Sequence, residues 1–182
     1  MSPKPIKTYC DGTMTTSAWL AFVRSTLRSK SLRWPPRTNT LIAARRPYIG
    51  SKKLQKWEYQ CALCQEWFPA KIGKKAHVVV DHYPKAAGSI LKVEDISQFV
   101  ENLFCDSSNL RVLCKPCHDV HTLAESRGIS FQEAVVEKEI IAIMKLPVKE
   151  LLDFLGKHGY SGASVSNKQK RFLLVEGILR GK

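Results

Sequence analysis

Two pairs of cysteines, Cys61-Ala-Leu-Cys64 and Cys114-Lys-Pro-Cys117, have the spacing of ligands for one tetrahedral ion. A two-residue spacer lets both sulfurs of a pair face the same ion, and the second pair folds back to complete the tetrahedron. Zn2+ in a structural role is the expected occupant, because four sulfurs leave no coordination position open for chemistry. Redox activity of either pair is the alternative, weakened because no thioredoxin-like βαβ pattern surrounds them. Cys10 and Cys105 lack such a partner and read as small apolar residues.

Between and just after these pairs stand Asp81-His82, Asn109 and His118. Cleaving a phosphodiester needs an activated water and a cation that stabilises the charge building on the phosphate and the leaving oxygen. A neutral imidazole takes a proton from water near pH 7, which suits His82 as general base, provided no metal occupies its lone pair. Asp81 then supplies a hard oxygen ligand and His118 a nitrogen ligand. Adjacent strand residues point to opposite faces, so Asp81 and His82 reach one site only if the strand bends there, for which Pro84 is the candidate cause. Taken singly, an Asp-His pair is more often a surface turn and an Asn before a strand a turn residue; their joint occurrence between two cysteine pairs argues otherwise.

In the order Cys61-x-x-Cys64, Asp81-His82-x-Pro84, Asn109-Leu110 and Leu113-Cys114-x-x-Cys117-His118, the chain resembles the zinc-bearing HNH endonuclease family over about residues 57 to 126. Leu32-Arg33-Trp34-Pro35-Pro36 is similar to the leader of many phage-encoded HNH proteins. The resemblance implies a ββα-metal core, a catalytic Mg2+, Mn2+ or related divalent ion, and a phage or mobile-element setting in a host cytoplasm. A single site of this kind cleaves one strand, so a monomer would nick DNA and a homodimer could break both strands. It also implies that Asn109 orients the catalytic histidine or its loop, or contacts the metal. His121 stands where many members have Lys; a second nitrogen ligand, a phosphate contact and a surface histidine all remain open, with the last two favoured. His77, of opposite strand parity to His82, reads as structural.

The net charge is +13, from 29 basic and 16 acidic side chains. Residues 1–57 hold twelve Lys and Arg against the single acid Asp11. Arg24, Arg28, Arg33, Arg37, Arg45, Arg46, Lys52 and Lys53 are therefore the candidate phosphate contacts, with Trp19, Trp34, Tyr48 and Trp57 interspersed for stacking on bases. A solvated basic surface is the plainer reading, and an acidic membrane surface a minor one, since no long amphipathic basic helix is evident. Double-stranded DNA is the expected partner, although no residue excludes RNA. No run approaches the roughly 20 apolar residues of a membrane span, and residues 1–9 lack a secretory signal, so a cytosolic location is expected.

These residues must be carried by an α+β fold. Helical periodicity covers Thr15 to about Ser29; Pro35-Pro36 predicts a break, followed by a helix from about Thr38 to Arg46. His77 to Val80 predicts a strand entering Asp81-His82, Asn109 to Leu113 a second strand, and helices are expected between Val93 and Phe104 and from Cys117 to Ser126. Ser130 and Glu133 form a capping box for a helix to Lys145, Pro147 opens another to Lys157, and a third spans about Asn167 to Leu179. The expected regions are a basic arm over 1–56, a nuclease domain over 57–128 and a helical module over 129–182. The last is similar to a SAP-type DNA-binding module in its leucine spacing and Asn167-Lys168, although a helical bundle for packing or dimerisation has the same periodicity. A zinc-stabilised DNA-binding or regulatory protein without catalysis is the competing function.

Overall fold

A short strand pair, β1 (Lys7–Tyr9) and β2 (Met14–Thr15), opens the part of the chain that the computed structural model describes, residues 7–51, 55–83 and 91–181. Thr15 caps α1 (Thr16–Ser31), its hydroxyl accepting the Ala18 amide at 3.2 Å. The next helix, α2 (Pro35–Ala43), starts on the two prolines and not after them. In a first turn the missing proline amide costs nothing and the fixed φ suits the helix, so residues expected to break the chain initiate an element. A second correction follows at the other end. Arg45 and Arg46, expected as the end of that helix, instead open strand β3 (Arg45–Pro47), because it pairs with β4 (Trp57–Gln60), which pairs in turn with β5 (Trp67–Pro69). Cross-strand pairing overrides a local helical preference here.

A small hairpin, β6 (Lys71–Ile72) and β7 (Lys75–Ala76), turns at Gly73, whose φ of +61° suits a residue without Cβ. Strand β8 (Val78–His82) then runs antiparallel to β9 (Leu110–Cys114), with α3 (Ile96–Leu103) between them in the chain and α4 (Lys115–Arg127) directly after. The register pairs Val78 with Cys114, Val80 with Val112, Asp81 with Arg111 and His82 with Leu110. Partners in an antiparallel ladder share a face. Val78, Val80, Leu110 and Val112 accordingly pack together with Leu41 and Ala44, whereas Leu113 and Val79 pack with Cys61, Cys114 and Phe68. Leu91, Phe99 and Leu103 form a third cluster with Leu20 and Leu27 of α1. Residues 16–47, basic as they are, thus supply two helices and a strand to a packed unit, Met1–His118.

The second unit, Asp119–Lys182, is helical. The Ser130–Glu133 capping box opens α5 (Phe131–Met144), followed by α6 (Val148–Lys157) and α7 (Lys168–Leu179). Asn167 caps α7, its side-chain oxygen accepting the Lys170 amide at 2.9 Å. Ile140, Leu151, Leu155 and Val175 are its buried core. Leu155→Ala is expected to cost this unit about 2–5 kcal/mol, the range for a buried leucine truncated in place; thermal unfolding of the full chain measures it, with zinc content unchanged. No helix among the described residues is long and apolar enough to cross a membrane.

Candidate functional site

The first cysteine pair lies in the connection between β4 and β5. Cys61 donates its amide to Glu66 O and accepts from Gln65 N, both at 2.9 Å, and Gln65 takes φ +61° to close the turn. Ala62 N bonds to Val112 O at 2.8 Å, tying this turn to β9. Cys114 ends β9, and Cys117 lies in the first turn of α4. The four sulfurs lie within 4.8 Å of one another, with Cys64 Sγ 4.0 Å from Cys114 Sγ, and none is in a disulfide. Sulfurs about 2.3 Å from a tetrahedral ion stand about 3.8 Å apart, so this cluster can hold a metal such as zinc.

The electrostatics agree with that donor set. Burial pushes the Cys114 thiol up to about 11 and raises Cys117 further, with the neighbouring sulfurs adding to the rise at Cys117. At Cys61 burial also raises the thiol, but backbone hydrogen bonds at Cys64 and Cys114 outweigh it and bring the group down to about 7. Four thiolates side by side repel one another unless a dication compensates them, so metal binding displaces protons.

Asp81 and Arg111 face each other across the β8–β9 ladder. Arg111 Nε and Nη2 both donate to Asp81 Oδ2 at 3.2 Å, and the guanidinium lies 4.5 Å from the centre of the Tyr83 ring. The other carboxylate oxygen, Oδ1, is 3.8 Å from His118 Nε2. His118 immediately follows Cys117, so an ion on the sulfurs anchors the turn that presents it. The structure thus brings Asp81 and His118 together and adds Arg111, which sequence reasoning missed. Its signal is the ladder register, which pairs residues thirty positions apart.

His82 occupies the opposite face of β8. The ladder runs without irregularity through His82, and Tyr83 N continues it to Asn109 O at 2.8 Å. The bend expected between Asp81 and His82 is therefore not there, since both residues are held in regular pairing; Pro84 lies outside the described residues. His82 Nε2 is 3.1 Å from the carbonyl oxygen of Leu103, at the end of α3. A carbonyl only accepts, so Nε2 carries the hydrogen and Nδ1 the lone pair. Burial lowers the imidazole from its ordinary value, the Leu103 carbonyl opposes this, the Arg37 charge lowers it again, and the charges of Asp81 and Arg28 pull in opposite directions. The net shift favours the neutral ring. Asn109, at the end of a 3-10 turn, holds the strand end through its backbone, and its side-chain oxygen accepts from Ser108 Oγ at 3.0 Å.

The basic residues divide. Arg24 and Arg28 line one shallow cavity on α1 with Leu20 and Leu91, and Arg33 is exposed just beyond that helix. Arg37 Nη1 donates to Val80 O at 3.1 Å, bracing the strand that carries His82. Arg45 lies over Trp57 at 4.2 Å, while Arg46 lies over Trp67 at 4.0 Å and pairs with Glu58 at 2.5 Å. Arg46 is thus a structural cation across β3 and β4, its charge compensated by a buried carboxylate. Lys52 and Lys53 lie outside the described residues. His121, on α4, is 3.7 Å from Glu125 one turn later. No family model, no curated protein and no solved structure matches the chain.

Proposed function

We propose that this chain is a divalent-metal-dependent endonuclease of the HNH type that hydrolyses DNA, built around a structural zinc on Cys61, Cys64, Cys114 and Cys117. One observation carries the reading: Asp81 Oδ1 and His118 Nε2 stand 3.8 Å apart. Two ligands each about 2.1 Å from one ion are at most about 4.2 Å apart, so this oxygen and nitrogen fit a shared small cation. Two antiparallel strands followed at once by a helix, β8, β9 and α4, are also the order that the family resemblance implies.

Bound Mg2+ or Mn2+ would supply positive charge to the scissile phosphate and the leaving oxygen. The remaining work falls to the chain's own groups. Asp81 and His118 hold the ion. Nδ1 of His82 takes the proton of the attacking water, and the Leu103 carbonyl keeps the ring in the tautomer that leaves Nδ1 basic. Asn109, through Tyr83, steadies the end of the strand. Because no bend brings Asp81 and His82 to one face of β8, His82 can serve the site of Asp81 and His118 only if the phosphodiester passes over the end of the strand, and that path is part of the proposal.

Supercoiled plasmid tests the reading. Zinc-loaded protein should convert it to nicked circles with Mg2+ or Mn2+ and leave it intact with chelator. Plasmid that is bound but never cut under any divalent metal would favour a DNA-binding module without catalysis. The arginine placement adds a graded expectation. Arg28→Ala should reduce the slope of log affinity against log salt by about one, the effect of one lost phosphate contact. Arg46→Ala should leave that slope unchanged, because Glu58 already neutralises it; binding isotherms at several salt concentrations measure both.

A further inference from the structure

Two donors of Arg111 converge on one carboxylate oxygen of Asp81. Oδ2 takes two hydrogen bonds from Arg111, and Oδ1 is the oxygen turned toward His118. The guanidinium is held in turn by its cross-strand position opposite Asp81 and by the Tyr83 ring on which it lies. The Asp81 side chain is only 15% exposed, so the fork that grips it is shielded from competing water. We infer that Arg111 is a positioning residue which confines Asp81 to single-oxygen coordination and so biases the site toward a small octahedral cation over Ca2+. This rests on the reading of Asp81 and His118 as ligands of one divalent ion.

The physical reason lies in what each ion requires. Mg2+ and Mn2+ accept one oxygen per carboxylate and complete an octahedron with water. Ca2+ is larger, takes six to eight oxygens, and gains from a carboxylate that chelates through both. An arginine fork on Oδ2 removes that second oxygen. It also places a positive charge beside the ion, which weakens every divalent cation alike. Charge and geometry therefore have separable signatures: charge shifts all affinities together, whereas geometry shifts their ratio.

Calorimetric titration of zinc-loaded full-length protein with Mn2+ and with Ca2+ reads both. The wild type should bind Mn2+ more tightly than Ca2+. In Arg111→Met both ions should bind more tightly, and the gap between them should narrow about tenfold as Ca2+ recovers the second oxygen. Arg111→Lys keeps the charge without the fork, so the gap should narrow with little common gain. Zinc content and helical signal establish that each variant is folded, and the lysine variant serves if the methionine variant is not. If the variants move Mn2+ and Ca2+ by the same factor, or not at all, the role of Arg111 is overturned. Asp81→Ala tells the two failures apart. Loss of Mn2+ binding in Asp81→Ala, together with an unchanged ratio in the Arg111 variants, removes only this inference. Mn2+ binding that Asp81→Ala leaves intact removes the active-site reading along with it.

Discussion

Cys64→Ala is expected to release zinc and to unfold the β8–β9 hairpin, although Cys64 is an exposed residue. Its exposure makes the variant informative. Cys61 and Cys114 are 1% and 2% exposed, so their truncation would remove core packing and metal ligation at once. Cys64 contributes little apolar burial, and what it loses is almost wholly ligation. A structural zinc contributes about 10–16 kcal/mol of apparent binding free energy at neutral pH. That matches or exceeds the roughly 5–15 kcal/mol by which a whole domain is stable. The tie between the β4–β5 turn, the end of β9 and the first turn of α4 should not survive its loss. Hydrogen exchange should then show amides of β8 and β9 losing protection while those of α5, α6 and α7 keep theirs, since the core of Ile140, Leu151, Leu155 and Val175 contains no cysteine. Cys10→Ala, also at an exposed cysteine, is the control and should change nothing. A Cys64→Ala protein that still holds one zinc per chain with a protected hairpin would sink the four-sulfur site.

His82→Ala is expected to lower plasmid cleavage by roughly 10^2- to 10^4-fold, the range for removal of a positioned general base. Zinc content and DNA affinity should stay near those of the wild type. The argument is geometric. Nε2–H is committed to the Leu103 carbonyl, burial with the nearby arginine charges favours the neutral ring, and the lone pair is left on Nδ1. The substitution deprives that carbonyl of a donor, a stability cost of about 1 kcal/mol that unfolding measures separately. Added imidazole should restore part of the rate in the alanine variant, because it supplies the missing base and repairs no other defect. Cleavage by His82→Ala at the wild-type rate would assign the proton to another group and end this role for His82.

Much of the architecture was legible because it is local. Thr15, Ser130 with Glu133, and Asn167 cap helices through contacts within three residues, so their types and spacing are enough. The run of valines before Asp81 was legible from its β-branched types, although the strand itself is completed by pairing with β9. Where local signals compete, the sequence alone misleads. Pro35-Pro36 is compatible with a break or with a first turn, and Arg45 and Arg46 with a helix end or a strand; for the latter, pairing with β4 decides.

The sequence by itself determined the candidates: four sulfurs at metal-binding spacing, and Asp81, His82, Asn109 and His118 in one order among them. Their chemistry resides in side-chain type and in short separations, both of which are written in the chain. Only the tertiary structure decided how those side chains are placed. The carbonyl that sets the His82 tautomer belongs to Leu103, and any residue type could have supplied it, so no letter announces it. Arg111 reaches Asp81 because the register of β8 on β9 places them opposite each other, and a shift of one residue would have put the guanidinium on the other face. Arg46, indistinguishable by type from Arg28, is neutralised because β3 lies against Glu58. Register and burial are collective properties of the folded chain, and they separate an arginine that braces a strand from one that stays exposed.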